Sequence, residues 1–174
     1  VYDSTMSVIS LTAMKQTKQV RVGINPCRVK ADKYGCLWIT TRGNYTTEKA
    51  QLHIFSTDPL QELETLDLPV TDFVIQGNSL YYYSFDYNTN KAKYGIIDVL
   101  SHKVVSDNLI TDGTDSEIRV PYAIAVNPYN GCFYLTDAKN YVSSGMLHCY
   151  DKSGKRLWSV KTGDIPAHFT LLGK

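Results

Sequence analysis

Short apolar segments recur along the chain at regular intervals, among them "MSVISL" (6–11), "QVRVGI" (19–24), "QLHIFS" (51–56), "YGIIDV" (94–99) and "MLHCY" (146–150). They are rich in β-branched and aromatic residues, and turns carrying Gly, Asn or Asp separate them, which predicts strands. Two stretches lean the other way. "TAMKQTKQ" (12–19) has helix-forming composition, and "PLQELETLDL" (59–68) spaces Leu60, Leu63 and Leu66 by three. Neither survives comparison with the rest of the chain, because the pattern repeats.

"PCRVKADKYGCLWITTRGNY" (26–45) aligns with "PYAIAVNPYNGCFYLTDAKNY" (121–141) after one insertion, and "QLHIFS" aligns with "MLHCYD" (146–151). Between them, "TDFVIQGNSLYYYSFDYN" (71–88) and "YGIIDV" form a weaker copy. The unit is about 48 residues and holds four short strands, the size and content of a propeller blade. In the last copy the strands are expected at 122–127, 131–136, 145–151 and 155–161, with "DKSGK" (151–155) as a hairpin turn. Residues 59–68 fall where a fourth strand belongs, and 6–24 where a third and fourth belong. The expected organisation is a partial blade at 1–24, blades at 25–69, 70–119 and 120–164, and an opening strand within 165–174.

The totals suit one all-β domain. The chain has 174 residues, 43% of them hydrophobic, and thirteen tyrosines favour strands. Eighteen basic against seventeen acidic residues leave a net charge of +1, which gives no electrostatic reason to expect nucleic acid. No apolar window is long enough to span a bilayer. Four cysteines, Cys27, Cys36, Cys132 and Cys149, lie in apolar strand patterns without CxxC spacing and read as buried thiols, with disulfides as the other reading, rather than as zinc ligands.

Over 121–169, and more weakly over 20–98, the sequence resembles the YncE-like, or surface-layer-type, β-propeller proteins of Bacteroidetes. The motifs that carry it are "PYAIAVNPYNG", "YLTDAKNYVSSG" and "TGDIPAHF". The resemblance implies an exported protein of the periplasm or cell surface, often lipid-anchored, with no established reaction. It also implies that this chain supplies about three and a half four-stranded blades of a seven- or eight-bladed ring. The unpaired edges would be satisfied by further N-terminal blades or by a second copy of the chain.

Aligning the copies puts Arg28, Asp72, Ala123 and His168 at one position near the entrance of the first strand, with Tyr122 beside it. In a propeller such groups line the channel, where converging polar side chains describe a ligand site; the plainer reading is a set of solvated strand ends. The loops on that face are "TTRGNYTTEK" (40–49), "SFDYNTNK" (84–91) and "TDAKNYVSSG" (136–145). They offer Arg42 and Tyr45, then Tyr87, then Lys139 and Tyr141, each tyrosine beside an Asn that could serve as an amide donor. Flat aromatic faces next to amides suit a sugar or peptide; alternatively Asn and Gly only shape the loops. Asp137, at the end of a second strand, suits either a ligand site or a bond to neighbouring backbone amides.

Signatures of catalysis are missing: there is no GxSxG, HExxH, GxGxxG or P-loop. "TDGTDSE" (111–117) gathers Asp112, Asp115 and Glu117 but is no EF-hand. His53 and His148 occupy aligned third-strand positions. The expected function is a noncatalytic binding or scaffolding propeller of the bacterial envelope. Its ligand would be a small polar molecule, a glycan or a protein, with no cofactor. A metal-dependent, lactonase-like hydrolase is the alternative.

Overall fold

A computed structural model of the protein describes residues 3–44 and 46–172. It divides into two compact units, residues 1–70 and 71–174. In the first, β1 (Thr5–Ser10) and β2 (Lys15–Arg21) form an antiparallel pair, followed by the meander β3 (Pro26–Ala31), β4 (Cys36–Thr41), β5 (Gln51–Thr57) and β6 (Leu60–Leu66). The second holds two such meanders. One is β7 (Asp72–Gln76), β8 (Ser79–Asp86), β9 (Lys91–Asp98) and β10 (Lys103–Ser106); the other is β11 (Pro121–Val126), β12 (Phe133–Asp137), β13 (Met146–Tyr150) and β14 (Arg156–Lys161). Three four-stranded blades and a two-stranded half-blade make the chain a partial β-propeller.

Burial follows strand position. The second and third strands of a blade carry the core, as in β4 and β5 with Trp38, Ile39, Leu52, Ile54 and Phe55, whereas the outer strands β6, β10 and β14 are largely exposed. In the first unit Val22, Ile39 and Phe55 pack with Met6 and Val20, so the half-blade shares apolar contacts with the blade that follows it. In the second unit one cluster runs from Tyr83, Phe85 and Tyr94 through Ile124 and Phe133 to Tyr150, and β11 lies against β7 and β8. Burying these aromatic and branched faces at about 25 cal/mol per Å² is what holds neighbouring blades together.

Turn chemistry sets the hairpins. Asp32 Oδ1 accepts the N–H groups of Tyr34 (2.8 Å) and Cys36 (2.9 Å), and Gly35 takes the positive φ of 86° that the β3–β4 turn requires. The leucine spacing of 59–68 has a strand explanation. Phe55 pairs with Glu62 and Ile54 with Glu64, so Leu63 is the extra residue of a β-bulge and stands 47% exposed.

Two expectations need correction. Residues 165–172 form no strand, because among the described residues no ladder partner lies beside them. They run irregularly over the last blade, where the Thr136 hydroxyl donates to the Pro166 carbonyl (2.7 Å) and Phe169 lies 6.2 Å from Tyr134. The four thiols are free, but only Cys149 is buried; Cys27, Cys36 and Cys132 are half-buried.

Gly95 marks the tightest spot in the middle blade. A Cβ there would stand 2.6 Å from the Tyr82 hydroxyl and 2.7 Å from the Ser106 carbonyl oxygen. Gly95→Ala should therefore destabilise by about 2 kcal/mol through overpacking, and adding Tyr82→Phe should restore part of that loss. Urea denaturation followed by circular dichroism checks both; a neutral Gly95→Ala would refute the close fit.

Candidate functional site

The residues aligned at the strand entrances differ in setting. Arg28, on β3 of the first unit, is half-buried, and its backbone N–H donates to Thr40 Oγ1 (3.1 Å). In the second unit Asp72 is buried rather than solvated, and its Oδ1 accepts the N–H of Phe73 (2.9 Å). Ala123 is buried, and His168 is exposed on the irregular segment. Arg42 is exposed; Tyr45 lies outside the described residues.

The loop asparagines turn out to build their own loops. Asn44 Oδ1 accepts the N–H groups of Thr46, Thr47 and Glu48 at 3.0, 2.9 and 2.8 Å, and its amide donates to Thr47 Oγ1. Asn140 Oδ1 accepts from Val142 (3.1 Å) and Ser143 (2.8 Å), and Asp86 Oδ1 from Asn88 (2.9 Å). Asn44 and Asn140 are spent on turn geometry.

Three nominated tyrosines do come together in the second unit. Tyr122, at the start of β11, meets Tyr141 edge to face with ring centroids 5.8 Å apart. Tyr141 sits at φ 64° in the loop between β12 and β13, close to Tyr87 from the loop between β8 and β9. Burial, then the neighbouring Tyr87 hydroxyl, pushes the Tyr141 hydroxyl up to about 12, so it stays protonated at neutral pH. Phe85 braces Tyr87 from behind, T-shaped at 4.9 Å, while 60% of Tyr87 remains exposed. Two blades thus present one surface of aromatic faces and hydroxyls.

Asp137 is 1% exposed, and its Oδ1 accepts two backbone N–H groups, those of Val120 (2.9 Å) and Lys139 (2.8 Å). The carboxylate ties the entry of β11 to the loop after β12, the structural role open to it in the sequence.

A cleft of about 480 Å³ lies beside it, lined by Glu117, Asp137, Lys139, Met146, His148, Arg156 and Ser159. The sequence reading nominated Asp137 and Lys139 but missed the rest. Arg156 grips Glu117 through two bonds of 2.6 and 3.0 Å, and its backbone N–H donates to Asp112 (2.7 Å). These contacts engage Asp112 and Glu117 of the acidic 111–117 run. His148 is 4% exposed; its Nδ1 is 2.8 Å from Ser159 Oγ, and its buried Nε2 has no partner. Burial holds this imidazole below the usual histidine range, so it is neutral at pH 7. Among the described residues no three His, Cys, Asp or Glu side chains stand together as a metal site requires.

No family model and no curated protein matches the chain. Among solved structures it is similar to Kuenenia stuttgartiensis hydrazine synthase, with TM-score 0.68 and 14% identity over 95% of this chain and 50% of that one. It is also similar to the β-propeller domain of the Trilobed protease from Pyrococcus furiosus, described as having an open velcro topology, with TM-score 0.52 and 7% identity over 80% of this chain and 43% of that one. The chain spans half or less of each of these structures, and the likeness is one of fold.

Proposed function

We propose that the chain is part of a noncatalytic binding propeller of the bacterial cell envelope, exported to the periplasm or cell surface, which recognises a glycan through its tyrosine-lined loops. The observation that carries this reading is the meeting of Tyr87, Tyr122 and Tyr141, two of them on separate loops, with faces and hydroxyls at the surface. A rigid aromatic face takes the apolar side of a sugar ring at low entropic cost, and the adjoining hydroxyls meet its polar rim. The envelope location rests on the motifs of 121–169, and a seven- or eight-bladed ring would be completed by further blades or a second copy. A metal-dependent, lactonase-like hydrolase is the alternative, and stoichiometric metal in the purified protein would favour it.

The test is a glycan array followed by calorimetry on the strongest hit. Tyr87→Ala and Tyr141→Ala should each weaken that hit by about tenfold or more, equivalent to ~1.4 kcal/mol, with little change in melting temperature. Unchanged affinity in both variants would refute the tyrosine site, and a hit competed by protein but not by sugar would replace the glycan with a protein partner.

A further inference from the structure

The ladder of the last blade brings two cysteines together. Tyr134 of β12 pairs with Cys149 of β13, and Phe133 pairs with Tyr150. Successive side chains along a strand point to opposite faces, so Cys132, two residues before Tyr134, stands on the face that carries Cys149 and at its diagonal position. The two thiols sense each other: burial, then the neighbouring Cys132 thiol, pushes the Cys149 thiol up. Cys149 is 2% exposed, whereas Cys132 is only half-buried and is the member that a reagent in solution meets first.

The other blades have no such pair. The pairings of Trp38 with Ile54 and of Tyr81 with Ile96 match that of Tyr134 with Cys149, so the two thiol positions are Cys36 and Ile54 in the first blade and Ser79 and Ile96 in the middle one. An isoleucine takes the third-strand position in both, and the last blade puts a thiol there. Cys27 and Cys36 make no substitute. They stand toward opposite ends of the β3–β4 hairpin, Cys27 beside the Pro26–Thr41 pair and Cys36 beyond the Ala31–Leu37 pair. That spacing is roughly 15 Å along the strands, and a disulfide needs Cα atoms within about 7 Å.

Cys132 lies just before β12, beyond the Val126–Phe133 pair that ends the β11–β12 ladder. The adjustment that brings two diagonal sulfurs to bonding distance therefore falls on a turn and leaves the sheet pairing in place. We propose that Cys132 and Cys149 are a redox-active dithiol, which a disulfide oxidant converts into a cross-strand bridge between β12 and β13. The Cys132 thiolate attacks one sulfur of the oxidant, forming a mixed disulfide and releasing one thiol; the Cys149 thiolate then attacks the Cys132 sulfur, closing the bridge and releasing the second. The two cysteines lose two electrons and two protons, and the oxidant's S–S bond takes them up as two thiols. Because the thiolate is the nucleophile and Cys149 is pushed up, closing is the slower step and the mixed disulfide on Cys132 comes first. The bridge fastens the open end of the hairpin whose loop carries Tyr141.

The test is to incubate the folded chain with glutathione disulfide, block the remaining thiols, digest, and identify the linked peptides by mass spectrometry. Wild type should pass through a glutathione adduct on Cys132 and end with a Cys132–Cys149 linkage, two hydrogens lighter and free of glutathione. Its midpoint in urea should rise, and dithiothreitol should return it to the starting value. Cys149→Ala should keep glutathione on Cys132, and the double variant Cys27→Ser, Cys36→Ser should close as wild type does. The wild-type chain carries the deciding readout, so a variant that fails to fold leaves the test intact. Glutathione retained on Cys132 of the wild type, a linkage formed only in the urea-unfolded chain, a main linkage through Cys27 or Cys36, or no reaction at all would each overturn the assignment. No sugar enters the experiment, so this proposal and the tyrosine site can fail separately.

Discussion

Trp38→Ala is expected to destabilise the first unit by about 3–5 kcal/mol, the cost of emptying a large core site. Trp38 is 0% exposed on β4, between Lys30 of β3 and Ile54 of β5 in the ladder. Its indole Nε1–H donates to Asp32 Oδ2 (2.9 Å), the same carboxylate whose other oxygen shapes the β3–β4 turn. The substitution therefore opens a cavity and releases one side of the turn. Trp38→Phe keeps most of the volume and loses only the hydrogen bond, so it should cost about 1–2 kcal/mol. Hydrogen exchange of the β3–β5 amides measures the effect where it arises. A loss under about 1 kcal/mol for Trp38→Ala would contradict the core role.

Asp137→Ala should cost the second unit about 2–4 kcal/mol, because it leaves the buried N–H of Val120 and the part-buried N–H of Lys139 without their acceptor. Asp137→Asn retains a side-chain carbonyl that can accept both and should cost about 1 kcal/mol. Urea denaturation of the two variants separates the contributions. Equal losses would make the negative charge the main term, and a near-neutral alanine variant would remove the bracing role altogether.

The blades were legible because the turn residues and the two-residue alternation agreed with a repeat. That agreement also settled residues 60–66, where leucine spacing argued for a helix and the ladder to β5 formed instead. Residues 165–172 misled because a strand-like sequence becomes a strand only beside a partner. Tyr87 and Tyr141 were legible as aligned loop tyrosines, and their meeting depends on the second unit packing its two blades together. The His148 cleft was hidden for the opposite reason. In the sequence His53 and His148 look like the same residue in two copies. What separates them lies on neighbouring strands, in Thr41 against Asp137 and Glu62 against Arg156. Comparing the partners strand by strand would have exposed the difference.

The tilted cluster of Trp158, Tyr134 and Phe169 gives the protein a built-in optical reporter. Tyr134 lies 6.1 Å from Trp158 on β14 and 6.2 Å from Phe169 on the irregular segment. The chain's other tryptophan, Trp38, is in the first unit and fully buried, whereas Trp158 is 47% exposed. Emission from Trp38 thus reports on a sealed interior, and emission from Trp158 on the exposed outer strand of the last blade. With Trp38→Phe in place, a quencher added to the solution would read the outer face of that blade alone.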